Sequence, residues 1–492
     1  MLGGKAAQTR SMTLANTWRE RAARDSPMLA VPPEFSPRDY VIFLLHIVAE
    51  IEHSLMVQYL YAAYSLGGSG VPAHYQARVG EWREVILGIA KEEMGHLISV
   101  QNVLRLLGGS IHFERQEYPW RIEFYPFPFK LERFTIESLA RYVYAESPEV
   151  KDWSADELPL REEIVRLATK GEGEVQLHRA GELFALLIGR LRDPEFLGDE
   201  EFDASTHGYQ ASWDEWGRGY RESQRGNAAG SGSRAAPDVL ITPFASRAAA
   251  VAGLAAIAAQ GEAPSAERGA SRSHFRRLFE VYRQFRAILR GDPAFSPSRP
   301  VPDNPRTPRD LNPGMEHPLP TEWRDDDARG ACIIDPRARD WAHLFNIRYR
   351  MLLAYLAHAY SLSGALIRAG QLTMRGAIVN FTFGEMYSLQ TVAGILVDLP
   401  LGDGQHNAAP PFEMPYSLAQ PADTRDHYRL HRDLLAASFI VEERLRKHGV
   451  PADVPCLTAL RKADEHALAM IDRAMRDGHR LPEQAGSAIR KP

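Results

Sequence analysis

Lys91-Glu92-Glu93-Met94-Gly95-His96 lies in the middle of a long segment whose apolar residues recur with helical spacing. Side chains three positions apart share one face of a helix, so Glu93 and His96 point the same way. About forty residues earlier, Ile47-Val48-Ala49-Glu50-Ile51-Glu52-His53 places carboxylates in a second long apolar segment. A helix with an inward glutamate and a second helix with Glu-x-x-His form half of the di-metal carboxylate site of four-helix bundles.

Composition limits the classes of function. The chain has 492 residues, 45% of them hydrophobic, which is enough for two or three domains of a globular protein. A formal net charge of -5 gives no reason to expect nucleic acid or an acidic membrane surface as a partner. The only cysteines, Cys332 and Cys456, exclude a disulfide framework and a thiolate metal cluster, and they suit a reducing compartment.

The sequence also lacks the signals of a secreted or membrane protein. Residues 1–28 are polar and contain arginine, without the apolar segment of a secretory signal. No run of about eighteen uninterrupted apolar residues occurs, so we expect no membrane span. We therefore expect a cytoplasmic protein.

Helical periodicity dominates the chain, and strand signals are almost absent. Ser36 as N-cap and Pro37 in the first helical position predict a helix that runs to about Leu66. We predict the further helices at about 77–107, 157–191 (with a break near Gly171 or Gly173), 246–259, 271–289, 341–369, 371–397, 425–448 and 456–475. Long connections are predicted at 110–156, 199–245 and 292–322.

Two distant segments of the sequence are similar. Tyr59-Leu60-Tyr61-Ala62-Ala63-Tyr64-Ser65-Leu66 resembles Tyr355-Leu356-Ala357-His358-Ala359-Tyr360-Ser361-Leu362. The same offset places Arg348 opposite Glu52, so a repeat of the first segment would have lost its metal ligand. Two core helices built from similar residues are the simpler interpretation. We expect no metal near Arg348, and we expect its region to act as a lid or a packing layer.

A complete di-metal site needs further ligands. Carboxylate oxygens and imidazoles suit iron or manganese, and about four carboxylates with two histidines complete such a site. The third long helix offers Glu174, His178 and Glu182 on one face. Beyond the next connection, Glu262 and His274 follow on either side of a short break.

These motifs, in this order, resemble the ferritin-like domain of the iminophenylpyruvate dimer synthase family, the imine-coupling proteins of violacein and rebeccamycin biosynthesis and their stand-alone bacterial relatives. The resemblance covers roughly residues 38–415. It rests on Glu52-His53, Tyr59-Leu60-Tyr61-Ala62, Glu92-Glu93-Met94-Gly95-His96-Leu97, Gly181-Glu182-Leu183-Phe184, Gln260-Gly261-Glu262, Ser273-His274-Phe275, Phe345-Asn346 with Tyr349, and Pro410-Pro411-Phe412-Glu413.

The resemblance implies an all-α fold: a ferritin-like four-helix bundle with long connections and an additional C-terminal helical region. We expect a lead-in at 1–35, the bundle at 36–292 with a flexible segment at 199–245, and the C-terminal region at 293–492. The implied metal ligands are Glu52, Glu93, His96, Glu182, Glu262 and His274.

Several neighbours compete with these ligands or support them. Glu50 is the residue most easily confused with Glu52, and Glu174 or His178 is an alternative to Glu182. Glu92 and His53 are expected to contact the ligands from outside or to lie on the surface. Tyr59 and Tyr61 are expected in the core, with a redox or proton-donor role as the alternative.

The function expected is that of a non-haem di-metal oxidase or oxygenase with two irons per chain, manganese being the alternative metal. Its partners would be O₂ and a small, amino-acid-derived substrate bound in a cavity beside the site, in a monomer or small homo-oligomer. Two alternatives remain open: an imine-coupling enzyme, and a non-catalytic metal-binding or iron-handling protein.

Overall fold

The protein is all-α, as predicted, in a computed structural model that describes residues 31–120, 127–170, 180–212, 215, 239–262, 273–308, 331–368, 371–414, 421 and 423–476. The helices in the first half are α1 (Pro37–Ser65), α2 (Ala73–Leu106), α3 (Ile136–Ala145), α4 (Leu158–Ala168), α5 (Ala180–Arg192), α6 (Arg247–Glu262) and α7 (His274–Gly291). Those in the second half are α8 (Pro336–Ser361), α9 (Met374–Leu396), α10 (Thr424–Lys447) and α11 (Val454–Arg476).

Short elements complete the described structure. Short 3₁₀ helices lie at Val150–Asp152, Asp199–Glu201, Ala204–Tyr209 and Pro451–Asp453. A two-residue hairpin, β1 (Ile367–Arg368) and β2 (Gln371–Leu372), pairs antiparallel between α8 and α9.

Helix α1 begins and ends where its sequence predicts. The side chain of Ser36 accepts a hydrogen bond from the backbone N–H of Asp39, and Pro37 takes the first turn. The chain leaves the helix at Leu66, and Gly67 and Gly68 follow with φ of +98° and +97°, values that favour glycine. By length and hydropathy α1 would also suit a membrane span, but 72% of its most apolar window is buried inside the protein.

The first four-helix bundle is formed by α1, α2, α5 and α6. Helix α1 packs against α2 and α5, and α6 packs against the same two helices, which closes a ring around a common core. Helix α7 begins after residues 263–272 and packs on α2, α3 and α6. Its first residue, His274, is thereby brought to the bundle.

The four C-terminal helices pack in the same arrangement as the four helices of the first bundle. Helix α8 contacts α9 and α10, and α11 contacts α10 and α9, which closes a second ring. The region is therefore a four-helix bundle in its own right, whereas the sequence led us to expect a lid or packing layer.

The largest differences from the predicted boundaries are at α3 and α8. Helix α3 lies inside the segment 110–156 that was predicted as a connection. Helix α8 starts five residues earlier than predicted, because Asp335 caps it and Pro336 takes its first turn, and it ends at Ser361, before the hairpin.

Candidate metal centre

Among the described residues, five acidic or histidine side chains meet inside the first bundle, and we call them the glutamate–histidine cluster. They come from α1, α2, the C-cap of α3 and the first position of α7. All are buried, with at most 5% of any residue exposed. The members are Glu52, Glu93, His96, Glu146 and His274.

Glu93 occupies the middle of the cluster. Its Oε2 lies 2.9 Å from Nδ1 of His96, and its Oε1 lies 2.8 Å from Nδ1 of His274. The two imidazole rings are stacked with their centroids 5.3 Å apart. One carboxylate therefore faces both histidines, which is the arrangement of a bridging ligand between two ions.

Each side of Glu93 has a further carboxylate. Oε2 of Glu52 lies 3.3 Å from Nδ1 of His96, and Oε2 of Glu146 lies 3.7 Å from Nδ1 of His274. In each of the two sets, ligand atoms from all three residues lie within 4.8 Å of one another. The sets are Glu52, Glu93 and His96 on one side and Glu93, Glu146 and His274 on the other, so Glu93 belongs to both.

Both histidines are held through their outer nitrogens. Nε2 of His96 forms a 2.8 Å hydrogen bond with Oε1 of Gln260, whereas Nε2 of His274 lies 2.9 Å from Oε2 of Glu92 in an ion-pair contact without a well-aligned hydrogen bond. Arg277 in turn forms a two-point ion pair with Glu92. Partners at the outer nitrogen fix the ring of a metal-binding histidine and raise its basicity, and here they leave both Nδ1 atoms facing inward.

Glu146 is oriented by a tyrosine. The hydroxyl of Tyr59 donates a hydrogen bond of 2.6 Å to Oε1 of Glu146, while Oε2 faces His274. Tyr59 is fully buried, as the sequence predicted for a core aromatic residue, and it also contacts a candidate ligand.

Burial and mutual charge shift the titration of the cluster. Burial raises the pKa of Glu52 well above its usual range, and the neighbouring Glu93 adds to this effect. Burial alone would also raise the pKa of Glu93, but His274 and His96 lower it well below that range. Burial opposes the charge on His96, yet Glu93 and Glu52 raise the pKa of this histidine to about 10. The cluster therefore holds positive charge close to Glu93, as protons or as metal.

The donor set fits a pair of metal ions. Oε1 of Glu93 and Nδ1 of His274 are buried and form no well-aligned hydrogen bond among the described residues, although they lie only 2.8 Å apart. Buried polar atoms without hydrogen bonds are costly, and an ion between them would satisfy both. Carboxylate oxygens together with imidazole nitrogens are ligands that suit iron and manganese.

A small cavity borders the cluster. The space open to the centre of a water-sized sphere is ≈ 20 Å³, about enough for one water molecule. Besides the five cluster residues, the described residues that line it are Leu55, Phe184, Ile257, Ala258 and Gly261. The cavity is thus mostly apolar on the side away from the ligands.

Four of the six predicted ligands meet in the cluster: Glu52, Glu93, His96 and His274. Glu182 lies in α5 and Glu262 ends α6, but the side chains of both fall outside the described part of the chain. The alternatives Glu174 and His178 also lie outside the described residues. Metal binding by any of the six stays a prediction.

The structure separates Glu52 from its neighbours. Glu50 points away from the cluster and accepts from Nε2 of His112 at 2.9 Å if that nitrogen carries the proton. Glu92 supports His274 from outside, as expected. His53 is fully buried, and its Nε2 lies 2.6 Å from the hydroxyl of Tyr349 on α8, so a surface position for it is excluded.

Sequence reasoning missed Glu146. It directly follows α3, a ten-residue helix that starts with a capping box formed by Thr135 and Ser138. The signal was present, since Ile136, Leu139 and Val143 repeat at helical spacing inside the supposed connection.

Gly95, between the two α2 ligands, makes room for another segment. A Cβ at this position would lie 2.8 Å from Cγ1 of Val239 and 3.1 Å from the carbonyl oxygen of Leu240. The glycine therefore lets the segment before α6 pack directly on α2 beside the cluster.

Comparison with known proteins agrees with this geometry. Residues 45–283 match the family model described as Ferritin-like. Over 133 residues the chain is 32% identical to the dichlorochromopyrrolate synthase of Lentzea aerocolonigenes. Over 454 residues it is 25% identical to the 2-imino-3-(indol-3-yl)propanoate dimerase of Chromobacterium violaceum.

The two alignments differ in extent. The first covers 23% of this chain and 13% of the relative, and the second covers 85% of this chain and 37% of the relative. The chain therefore spans only a minor part of the length of either relative. No solved structure gives a significant match.

Proposed function

Because residues 45–283 form a ferritin-like domain, we propose that the protein is a non-haem di-metal oxidoreductase that uses O₂ and acts on a small, amino-acid-derived substrate. The observation that carries this proposal is the position of Glu93, whose two oxygens face His96 and His274 on opposite sides. Iron is the metal we propose, at two ions per chain, with manganese as the alternative.

The residues of the cluster have separate tasks in this proposal. Glu93 would join the two ions, while Glu52 and Glu146 would each complete one side. Gln260 and Glu92 hold the two histidines with Nδ1 inward. When bound in the divalent state, a pair of irons would supply two electrons to O₂, and the oxidised substrate would supply the two that return the irons to that state.

The cavity is large enough for a small reactant such as O₂ but not for an organic substrate. A space of ≈ 20 Å³ fits water or a diatomic molecule, whereas pockets for organic ligands are about 300–1,000 Å³. An amino-acid-derived substrate therefore requires displacement of the apolar wall that includes Leu55, Phe184 and Ile257. The cavity is therefore smaller than the substrate cavity expected from the sequence.

Imine coupling is the second candidate. The relative that aligns with 85% of this chain is named as a dimerase of 2-imino-3-(indol-3-yl)propanoate, and joining two such imines is chemistry on an amino-acid derivative. A metal-binding protein without catalysis is the third candidate, since a fold does not fix a function. We further propose a cytoplasmic monomer or small homo-oligomer, in keeping with the free cysteines Cys332 and Cys456.

The test is anaerobic loading of the full chain with Fe²⁺, followed by O₂ with and without a small α-imino or α-amino acid. The proposal predicts a few equivalents of O₂ consumed without substrate, and catalytic O₂ consumption with conversion of the added compound. Conversion without O₂ uptake would favour imine coupling alone. Retention of hundreds of irons per particle, without conversion, would favour iron storage and contradict the proposal.

A further inference from the structure

The second bundle repeats the packing scheme of the first. In the first, α1 and α6 each contact both α2 and α5, and in the second, α8 and α11 each contact both α9 and α10. Taken in chain order, the helices of the two bundles therefore correspond one to one: α1 to α8, α2 to α9, α5 to α10 and α6 to α11.

The first helices of the two bundles also end in the same way. The backbone N–H of Leu66 donates to the carbonyl of Ala63 after α1, and that of Leu362 donates to the carbonyl of Ala359 after α8. Both pairs are separated by the same 296 positions that relate the similar sequence segments. Local geometry and sequence thus agree on one register.

Corresponding residues meet between the bundles. His53 on α1 and Tyr349 on α8 are 296 positions apart, and Nε2 of His53 lies 2.6 Å from the tyrosine hydroxyl. When two copies pack around a two-fold axis, equivalent residues touch where they lie next to that axis. The contact is what two copies of one bundle would make.

The centre of the second bundle is polar and built around Arg348, and Nε of Arg461 lies 2.9 Å from the outer oxygen of Glu442, Oε2. The guanidinium of Arg348 lies 2.6 Å from each carboxylate oxygen of Asp464, 3.2 Å from Oε1 of Glu385 and 3.4 Å from Oε1 of Glu442. Nη2 also donates to Oγ of Ser438 at 2.8 Å. All five residues, which we call the arginine cluster, are buried to at least 94%.

The arginine cluster and five of the six predicted ligands come from corresponding helices, whereas Glu146 and His274 lie at the end of α3 and the start of α7, outside these four pairs. The arginine cluster takes Arg348 from α8, Glu385 from α9, Ser438 and Glu442 from α10, and Asp464 from α11. In the first bundle, Glu52 and Glu93 are on α1 and α2, and the predicted ligands Glu182 and Glu262 are on α5 and α6. Arg348 stands at the position of Glu52.

We propose that residues 336–476 are a second copy of the metal-binding bundle, and that the guanidinium of Arg348 takes the place of a divalent cation in its carboxylate site. Oε2 of Glu385 is buried and has no hydrogen-bond partner among the described residues, so the site retains an oxygen that the guanidinium does not satisfy. The ligand class that the site would take without Arg348 is a hard divalent ion with oxygen ligands, such as Mn²⁺ or Co²⁺.

The test replaces Arg348 in a variant whose first metal site has already been removed. Glu93→Ala and Glu93→Ala/Arg348→Ala are purified as full chains with Co²⁺, and bound metal and Co²⁺ absorption are measured. The proposal predicts one more ion per chain in the double variant, and a rise of its thermal midpoint with Co²⁺ that the single variant lacks. Because Glu93→Ala is the reference, the result does not depend on the proposed oxidoreductase activity.

Two controls separate a site from a damaged core. Arg348→Lys keeps a fixed cation and is expected to bind no additional ion. Arg348→Ala/Glu442→Gln carries one buried carboxylate fewer, folds more easily, and keeps Glu385 and Asp464 as ligands. The proposal would be overturned if neither variant with Arg348→Ala bound an additional ion and if neither Co²⁺ nor Mn²⁺ restored folding.

Discussion

The two bundles of this protein share one packing scheme but differ in the groups that surround their buried carboxylates. The first gathers Glu52, Glu93 and Glu146 with two histidines, and no lysine or arginine pairs with these three carboxylates in the part of the chain that the structure describes. The second gathers three carboxylates around the guanidinium of Arg348. At the position where the first bundle has Glu52, the second carries its own cation, Arg348, and the two histidines of the first cluster are absent from the second.

Free energy explains why both solutions are stable. A carboxylate buried without a counter-charge costs several kcal/mol, so a centre with three of them needs protons, metal or a fixed cation. In the second bundle the cation is covalently part of the chain and always charged. We therefore expect the fold of that bundle to be independent of metal, and the proposed metals would add stability to the first bundle.

The largest expected effect is the loss of bound metal from the first bundle. Glu93→Ala removes the carboxylate shared by both ligand sets, so bound metal falls from two ions per chain to none. Glu84→Ala, at an exposed position of the same helix, and Glu385→Gln, in the arginine cluster, should both keep two ions. Elemental analysis of the purified variants measures this, and retention of both ions by Glu93→Ala would exclude a bridging role.

A smaller effect concerns the support of His274. Glu92→Gln replaces the charged partner of Nε2 with a neutral amide, and loss of such partners typically lowers metal affinity about 10–100-fold. Competitive titration with Co²⁺ gives the affinity, and Glu84→Gln on the same helix is the matched control. Equal affinities for wild type and Glu92→Gln would mean that the ring is held by packing alone.

The smallest expected effect is the pH dependence of the stability of the second bundle. Burial raises the pKa of Glu385 and of Glu442 to about 7, although Arg348 opposes this. A carboxyl with a raised pKa in the folded state stabilises the fold below its unfolded pKa near 4.5, and this stability is lost as pH rises through 7. The loss is on the order of 3 kcal/mol for one such carboxyl.

Chemical denaturation between pH 5 and pH 8 measures that loss. Glu385→Gln cannot ionise, so its unfolding free energy should fall less over this range than that of the wild type. The comparison is made in the Glu93→Ala background, in which metal uptake does not add its own pH dependence. Identical slopes would show that Glu385 is already ionised at pH 5.

Sequence reasoning reached most of the first centre because four of its five candidate ligands lie in long helices. Glu93 and His96 are three residues apart in α2, and helical spacing alone places them on one face. Glu146 was missed since it follows a helix of ten residues, and such short helices are held by tertiary packing more than by their own periodicity.

The second bundle was harder to predict for a different reason. The similarity of its first helix to α1 was visible, but a substitution from Glu52 to Arg348 removed the ligand that would have marked a second site. Only the packing shows that Glu385, Glu442 and Asp464 converge on this arginine, because they lie on three different helices. Contacts of this kind leave no local periodic signal.

Anomalous diffraction from crystals of the full chain, grown with Fe²⁺ or Mn²⁺ and recorded at the absorption edge of the added metal, tests the contrast between the two bundles most directly. We predict two peaks, one on each side of Glu93 toward His96 and His274, and none within the arginine cluster. Absence of a peak beside Glu93, or a peak beside Arg348, would contradict the assignment of the metal centre to the first bundle alone.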